Sequence, residues 1–116
     1  MIALALALLA QAVTPSPAPV PTPPRTPDEI WVQQKCQLCH GRDGKGKTVK
    51  GRKYKAPNFT GSRWQKHTTD DEIVEAITDG VKKSKMPSFK DKLTPEEVKS
   101  MVPYLRAFAA KRGASK

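Results

Sequence analysis

The chain contains only two cysteines, and a histidine stands directly behind the second of them. Cys36 and Cys39 are three residues apart, and His40 follows. On one turn of a helix, two thiols at this spacing reach the two vinyl groups of a haem as thioethers, and the imidazole reaches the iron. The pattern predicts one covalently bound haem c, attached through Cys36 and Cys39, with His40 as an axial ligand.

Other chemistry is open to the same residues. A disulfide between Cys36 and Cys39 is possible, although a redox pair is expected beside a βαβ pattern, which the sequence lacks. A structural zinc site needs four protein ligands, commonly from two such pairs, and the only other histidine is His67. Haem attachment is therefore the preferred interpretation.

An electron-transfer haem needs a second axial ligand, usually a methionine sulfur or a histidine nitrogen. Met86 stands in a polar loop, where a packing methionine is unexpected, and Pro87 stiffens the backbone behind it. Met101 falls on the apolar face of a predicted helix and is expected in the core, and His67 is expected to be exposed. Met86 is the predicted ligand.

Helix starts are well marked in the sequence. Residues 26–29, 69–72 and 94–97 each begin with threonine and continue with acidic residues, which is the pattern of a capped helix. The first of these predicts a helix from Pro27 into the haem motif, and Gly80 predicts the end of the second. Pro103 is expected to kink the last helix. No alternating pattern predicts a strand, so the expected fold class is all-α.

The N-terminal quarter differs from the rest. Residues 1–10 form an apolar run that leads into a small-x-small pattern, which predicts a signal peptide over 1–12 and export to the periplasm; a core helix is the alternative. Residues 13–26 are rich in proline and predict an extended linker or a disordered N-terminus, and this segment becomes a membrane tether if the signal is retained. The folded domain is expected over 27–116.

The order of the motifs resembles class I c-type cytochromes in their small bacterial single-haem form. The likeness covers about residues 27–110. Its motifs are, in order, residues 36–41, 56–60, 71–80, 86–89, 93–97 and 104–106. The resemblance implies the cytochrome c fold, in which three to four helices wrap around one covalently bound haem.

The same resemblance implies roles for individual residues. Met86 would be the distal ligand, and the Pro57 carbonyl would accept a hydrogen bond from the non-ligating nitrogen of His40. Trp64 would donate its indole N–H to a haem propionate, and an ordinary core aromatic is an equal alternative. Tyr104 would pack on the first helix near residues 31 and 32.

Two filled axial positions leave the iron no open site for a substrate. The expected function is an electron carrier rather than an enzyme, which shuttles single electrons between respiratory partners such as a reductase and a terminal oxidase. A haem-bearing subunit of a larger oxidoreductase is the alternative, followed by a peroxidase-like or gas-binding haem protein.

The charge of the chain indicates its partners. There are 21 Lys and Arg residues against 11 Asp and Glu, a formal net charge of +10. The basic residues cluster over 42–55 and 82–92, which flank the two predicted ligands. Docking to acidic-surfaced electron donors and acceptors is expected, with a generally basic soluble surface as the alternative. Nucleic acid is not an expected partner because no recognition motif is present, and the protein is expected to be a monomer.

Overall fold

The computed structural model describes residues 10, 11, 13 and 23–111. The predicted signal peptide and most of the predicted linker lie outside this part. The described chain forms six α-helices and two short 3-10 helices: α1 Pro27–Gln33, α2 Cys36–His40, α3 Val49–Lys53, α4 Ser62–His67, α5 Asp70–Asp79, α6 Pro95–Ala107, and the 3-10 helices Lys82–Ser84 and Phe108–Lys111. Within these residues the only β pairing is a single bridge between Val81 and Met86.

The all-α class is confirmed, and the helices outnumber the three to four that were expected. The additional helices are short. Helix α3 has five residues and α4 has six. A helix of one to two turns shows no apolar period in its sequence. No helix in the described part of the chain has the length and apolar character needed to cross a membrane.

The helix starts form where the sequence predicts them. Thr26 and Thr94 make complete capping boxes with Glu29 and Glu97, in which each side chain bonds the other's backbone N–H. At α5 the box is half formed, because the Thr69 hydroxyl accepts from residue 72 without a return bond. These bonds satisfy backbone donors that have no partner inside the helix.

The predicted continuous helix from Pro27 into the haem motif is wrong. Helix α1 ends at Gln33, and Lys35 adopts a left-handed conformation with φ 61°. A single left-handed residue interrupts the helical hydrogen-bond ladder, so the chain changes direction before Cys36. The cysteines and the histidine therefore lie on a short helix of their own.

Helices α1 and α6 pack through aromatic side chains. The Trp31 ring lies 5.3 Å from the Tyr104 ring and 5.4 Å from the Phe108 ring, centroid to centroid. The expected contact of Tyr104 with the first helix is confirmed at Trp31, whereas Val32 is exposed. Helix α6 continues through Pro103, which supplies no N–H to the helical ladder.

An ion pair joins the residues before α1 to the start of α6. The Arg25 Nε donates to a Glu97 carboxylate oxygen at 2.8 Å, and the Arg25 guanidinium also donates to the Lys92 carbonyl at 2.9 Å. Glu97 is only 4% exposed. The hydrogen bond from Arg25, together with the backbone N–H of Thr94, lowers the pKa of Glu97 from its ordinary 4.5 to about 2. Arg25 thus joins the segment before α1 to the first turn of α6.

Replacing Glu97 with glutamine should lower thermal stability in a pH-dependent way. Because folding depresses the pKa of this carboxyl, its stabilising contribution is present above pH 4.5 and is lost as the pH falls toward 2. Glutamine can still accept the hydrogen bond from the Thr94 N–H, but it no longer carries the charge that pairs with Arg25. We therefore expect E97Q to lower the midpoint of thermal unfolding at pH 7 by roughly 5 °C in a domain of this size.

The matched control is E96Q, which removes an exposed carboxylate from the same helical turn. Thermal unfolding of the three proteins between pH 7 and pH 2.5 checks the prediction. The gap between wild type and E97Q should narrow as the pH falls, and a gap of constant size would contradict it.

Candidate functional site

The short helix α2 is fixed in place by Thr48, the residue that caps α3. The Thr48 hydroxyl donates to the carbonyl of Leu38 at 2.6 Å and lies 3.2 Å from the carbonyl of Cys39. The same oxygen accepts a hydrogen bond from the backbone N–H of Gly51. A side chain at Gly51 would collide with the carbonyls of Cys39 and Gly46. Glycine therefore allows α3 to lie directly against the cysteine-bearing helix.

All six residues that the sequence predicts for the site line one cavity. The cavity has a volume of about 530 Å³, within the range of small-molecule sites. Its predicted members are Cys36, Cys39, His40, Pro57, Trp64 and Met86. Apolar side chains of α5 and α6, among them Ile73, Ile77 and Leu105, form further parts of the wall.

The imidazole of His40 is half-buried and neutral. Its ring stacks on Phe59 with 4.6 Å between the ring centroids. Burial lowers the pKa of His40 from 6.5 to about 4, so at pH 7 the ring carries no charge and keeps a nitrogen lone pair free for a metal.

The expected hydrogen bond between His40 and Pro57 is not formed. Among the residues that the structure describes, none forms a hydrogen bond with the buried Nδ1 of His40. The Pro57 carbonyl instead lies close against the backbone of Gly46, where a side chain would collide with it. Pro57 thus stands at the cavity wall without contacting the imidazole nitrogen in this structure.

Met86 is presented by a loop that is bonded to the end of α5. Val81 and Met86 exchange two backbone hydrogen bonds, of 3.0 and 3.1 Å. The loop passes so close to Gly80, which has φ 76°, that a side chain there would collide with the Met86 carbonyl. Ser88 closes the loop by donating its hydroxyl to the Thr78 carbonyl at 2.5 Å. These contacts hold the half-buried Met86 at the cavity wall.

The two other ligand candidates are placed differently. His67 is exposed and does not line the cavity. Met101 is 2% exposed, as expected of a core residue, but it also lines the cavity. His67 is therefore ruled out as a ligand in this structure by its position outside the cavity. Met86 and Met101 both line the cavity, so the preference for Met86 depends on its place in a loop rather than in a core helix.

Trp64 lies at the cavity wall between Phe59 and Arg106. The centroid of its ring is 4.5 Å from the Phe59 centroid, and the Arg106 guanidinium lies 5.7 Å from the ring. Arg106 is itself fixed by the Thr68 carbonyl and by an ion pair with Asp70 at 2.8 Å. Residue type and spacing alone predict no role for Phe59 or Arg106, although both fall within the motifs that carry the resemblance.

The chemistry of these residues fits a covalently attached haem. Cys36 and Cys39 are free thiols and half-buried, and burial raises the pKa of Cys36 to about 11, so this thiol stays protonated at neutral pH. His40 brings an uncharged imidazole, and the rest of the wall is largely apolar. The described residues hold no group of three or more His, Cys, Asp or Glu side chains that would bind a zinc ion.

Comparison with known proteins agrees with this chemistry. Residues 22–105 match the family model of cytochrome c oxidase, cbb3-type, subunit III. A relative, the cbb3-type cytochrome c oxidase subunit FixP of Bradyrhizobium sp. (strain ORS 278), is 31% identical over 74 residues, which make up 64% of this chain and 24% of that protein. The chain thus spans about a quarter of the length of this relative.

Solved structures extend the likeness to three dimensions. The KustC0563 c-type cytochrome is 40% identical with a TM-score of 0.66, and the alignment covers 72% of this chain and 98% of that one. A mutant of the same cytochrome is also 40% identical, with a TM-score of 0.65 and coverage of 72% and 99%. The chain therefore belongs to the family of cytochrome c oxidase, cbb3-type, subunit III, and is a c-type cytochrome that carries electrons on one covalently bound haem c.

Proposed function

We propose that the protein is a periplasmic carrier that shuttles single electrons between respiratory partners, such as a reductase and a terminal oxidase, with His40 and Met86 as axial ligands of the iron. The observation that carries the proposal is that His40 of α2 and Met86 of a separate loop line the same cavity as the two thiols. Bound haem supplies one-electron chemistry at its iron.

The residues around the cavity suit electron transfer better than catalysis. Cys36 and Cys39 attach the group as thioethers, and His40 and Met86 leave no coordination position for a substrate. The apolar side chains of α5 and α6 exclude water, and a methionine sulfur in such surroundings favours the reduced state. Trp64 lies at the cavity wall, and its indole N–H is proposed to bind a propionate.

Basic side chains border the cavity and support the proposed acidic partners. Lys50 of the first basic cluster and Lys85 and Lys92 of the second all line it, as does Lys35. Positive charge at this position raises the rate at which a negatively charged protein meets the cofactor edge. The proposed donor and acceptor are therefore redox proteins with acidic surfaces.

The proposed domain organisation has a signal peptide over 1–12, a linker over 13–26 and a cytochrome domain over 27–116. The contacts of Arg25 with Lys92 and Glu97 support a domain boundary near this residue. Mass spectrometry of the exported native protein tests the arrangement, because it reports the covalent haem mass and the N-terminal residue together. An unprocessed N-terminus would contradict cleavage and support a retained tether.

A second candidate function is that of a haem-bearing subunit in a larger oxidase. The match to an oxidase subunit family and the likeness to FixP favour it. The two candidates differ in the size of the native particle. Size-exclusion chromatography of the native membrane and periplasmic fractions separates them. A carrier elutes as a monomer close to the 12.8 kDa of the chain, whereas a subunit elutes with its complex.

Replacing Met86 with leucine should leave one coordination position of the iron without a protein ligand. The change keeps side-chain volume and removes the sulfur, so the protein should still fold. We expect M86L to lose the weak red-end absorption band of sulfur-bound iron, to bind carbon monoxide at neutral pH, and to have a lower reduction potential. Visible spectra with and without carbon monoxide and a redox titration check this result.

The matched control is M101L, which makes the same change at the other methionine of the cavity wall. This variant should keep the band and exclude carbon monoxide. Loss of the band in M101L but not in M86L would show that Met101 is the ligand. Carbon monoxide binding by the wild type would instead favour a gas-binding or peroxidase-like protein.

Electron exchange with an acidic partner should depend on salt. Because salt screens charges that lie farther apart than the Debye length, the bimolecular rate should fall about tenfold between ~10 mM and ~500 mM ionic strength. Stopped-flow measurements with an acidic flavodoxin as donor check this. A rate independent of salt would argue that the basic residues only keep the protein soluble.

A further inference from the structure

Two exposed apolar side chains stand beside the haem motif. Leu38 is 44% exposed and lines the cavity, and Val49 at the start of α3 is 88% exposed. Helices α2 and α3 are held together by the Thr48 hydroxyl, which bonds the Leu38 carbonyl at 2.6 Å. We call Leu38, Val49 and the flanking Lys47 and Lys50 the α3 patch. An exposed apolar centre with a charged rim is the usual anatomy of a protein interface.

The chain that follows the haem motif and includes this patch is strongly basic. No Asp or Glu occurs between Asp43 and Asp70, whereas this stretch holds eight basic residues. They are Lys45, Lys47, Lys50, Arg52, Lys53, Lys55, Arg63 and Lys66. The charge complementary to this surface is that of an acidic protein.

The patch also lies close to the covalent attachment of the cofactor. The Thr48 hydroxyl is 3.2 Å from the carbonyl of Cys39, and Val49 is the next residue in the chain. A short path of covalent bonds and one hydrogen bond therefore joins Cys39 to the patch. Since electron transfer falls off steeply with distance, a partner seated here would be well placed for exchange.

The second basic cluster lacks the apolar part of an interface. Lys82 and Lys83 are exposed in the 3-10 helix that precedes Met86. The large apolar residues exposed in the described chain are Val13, Val32, Leu38 and Val49, and none of them belongs to residues 82–92. Charge without an exposed apolar centre attracts a partner but does not define where it docks.

We propose that the α3 patch is the docking surface for an acidic redox protein, with Leu38 and Val49 in the centre and Lys47 and Lys50 at the rim. The lysines of residues 82–92 contribute long-range attraction only. The inference rests on the proposed carrier function and assigns its contact surface.

Two charge-reversal variants of equal net charge separate docking from attraction. K47E/K50E alters the α3 patch, and K82E/K83E makes the same charge change in the second cluster. A second pair keeps the charge constant: V49S removes the apolar centre, and V32S removes an exposed valine of α1. The native, haem-loaded proteins are reduced by an acidic flavodoxin and reoxidised by ferricyanide, and amide chemical shifts are followed on adding oxidised flavodoxin.

We expect K47E/K50E to slow reduction by flavodoxin about tenfold relative to wild type, and K82E/K83E by about twofold. V49S should slow it measurably while V32S does not, and the amide shifts should centre on residues 38 and 47–50. Equal effects of the two double variants, or shifts centred on 82–92, would overturn the assignment and leave the carrier function intact. A wild type that exchanges electrons with neither reagent would instead refute the carrier function, and the docking proposal with it.

Discussion

Core and cofactor site are built from the same side chains. Of the eleven buried apolar residues in the described chain, nine also line the cavity, and only Val98 and Phe108 do not. A domain of about ninety residues is too small to bury a second, independent core. The group that fills the cavity therefore completes the packing, and its binding free energy adds directly to the stability of the folded state. Removing side-chain volume at any of these nine residues would therefore disturb both the packing of the core and the lining of the site.

A cavity of this kind has to be kept open by contacts that do not depend on its contents. Backbone contacts at two glycines meet that requirement. Gly51 allows α3 to pack against the carbonyl of Cys39, and Gly80 allows the backbone to pass close to the carbonyl of Met86. At each position a Cβ atom would push apart segments that bear a residue of the site. The protein thus sets the geometry of both sides of the site through rigid backbone and leaves side chains to line the wall.

The parts of this architecture that could be predicted are those that depend on local interactions. The helix caps at Thr26 and Thr94 depend on interactions among four consecutive residues. The haem motif is likewise defined by five consecutive residues. The break at Lys35 could not be predicted, because a left-handed lysine is uncommon and no glycine or proline marks the position. Helix α3 was missed because five residues carry no period, even though Thr48 is a good N-cap. The bond expected at Pro57 depends on how a distant loop packs on Gly46, which the sequence does not encode locally.

The buried Glu97 has a purpose in a chain that is otherwise strongly basic. Its carboxylate accepts hydrogen bonds from the backbone N–H of Thr94, at the start of α6, and from the Arg25 side chain. It therefore holds the start of α1 against the start of α6. Farther along the same pair of helices, Trp31 packs on Tyr104, which also bonds Asp28 and whose pKa burial raises to about 12. These contacts hold α1 on α6. Because only two residues separate α1 from α2, they also restrict the position of α2. The direction in which Cys36 and His40 face the cavity is thus determined by the packing of α1 on α6.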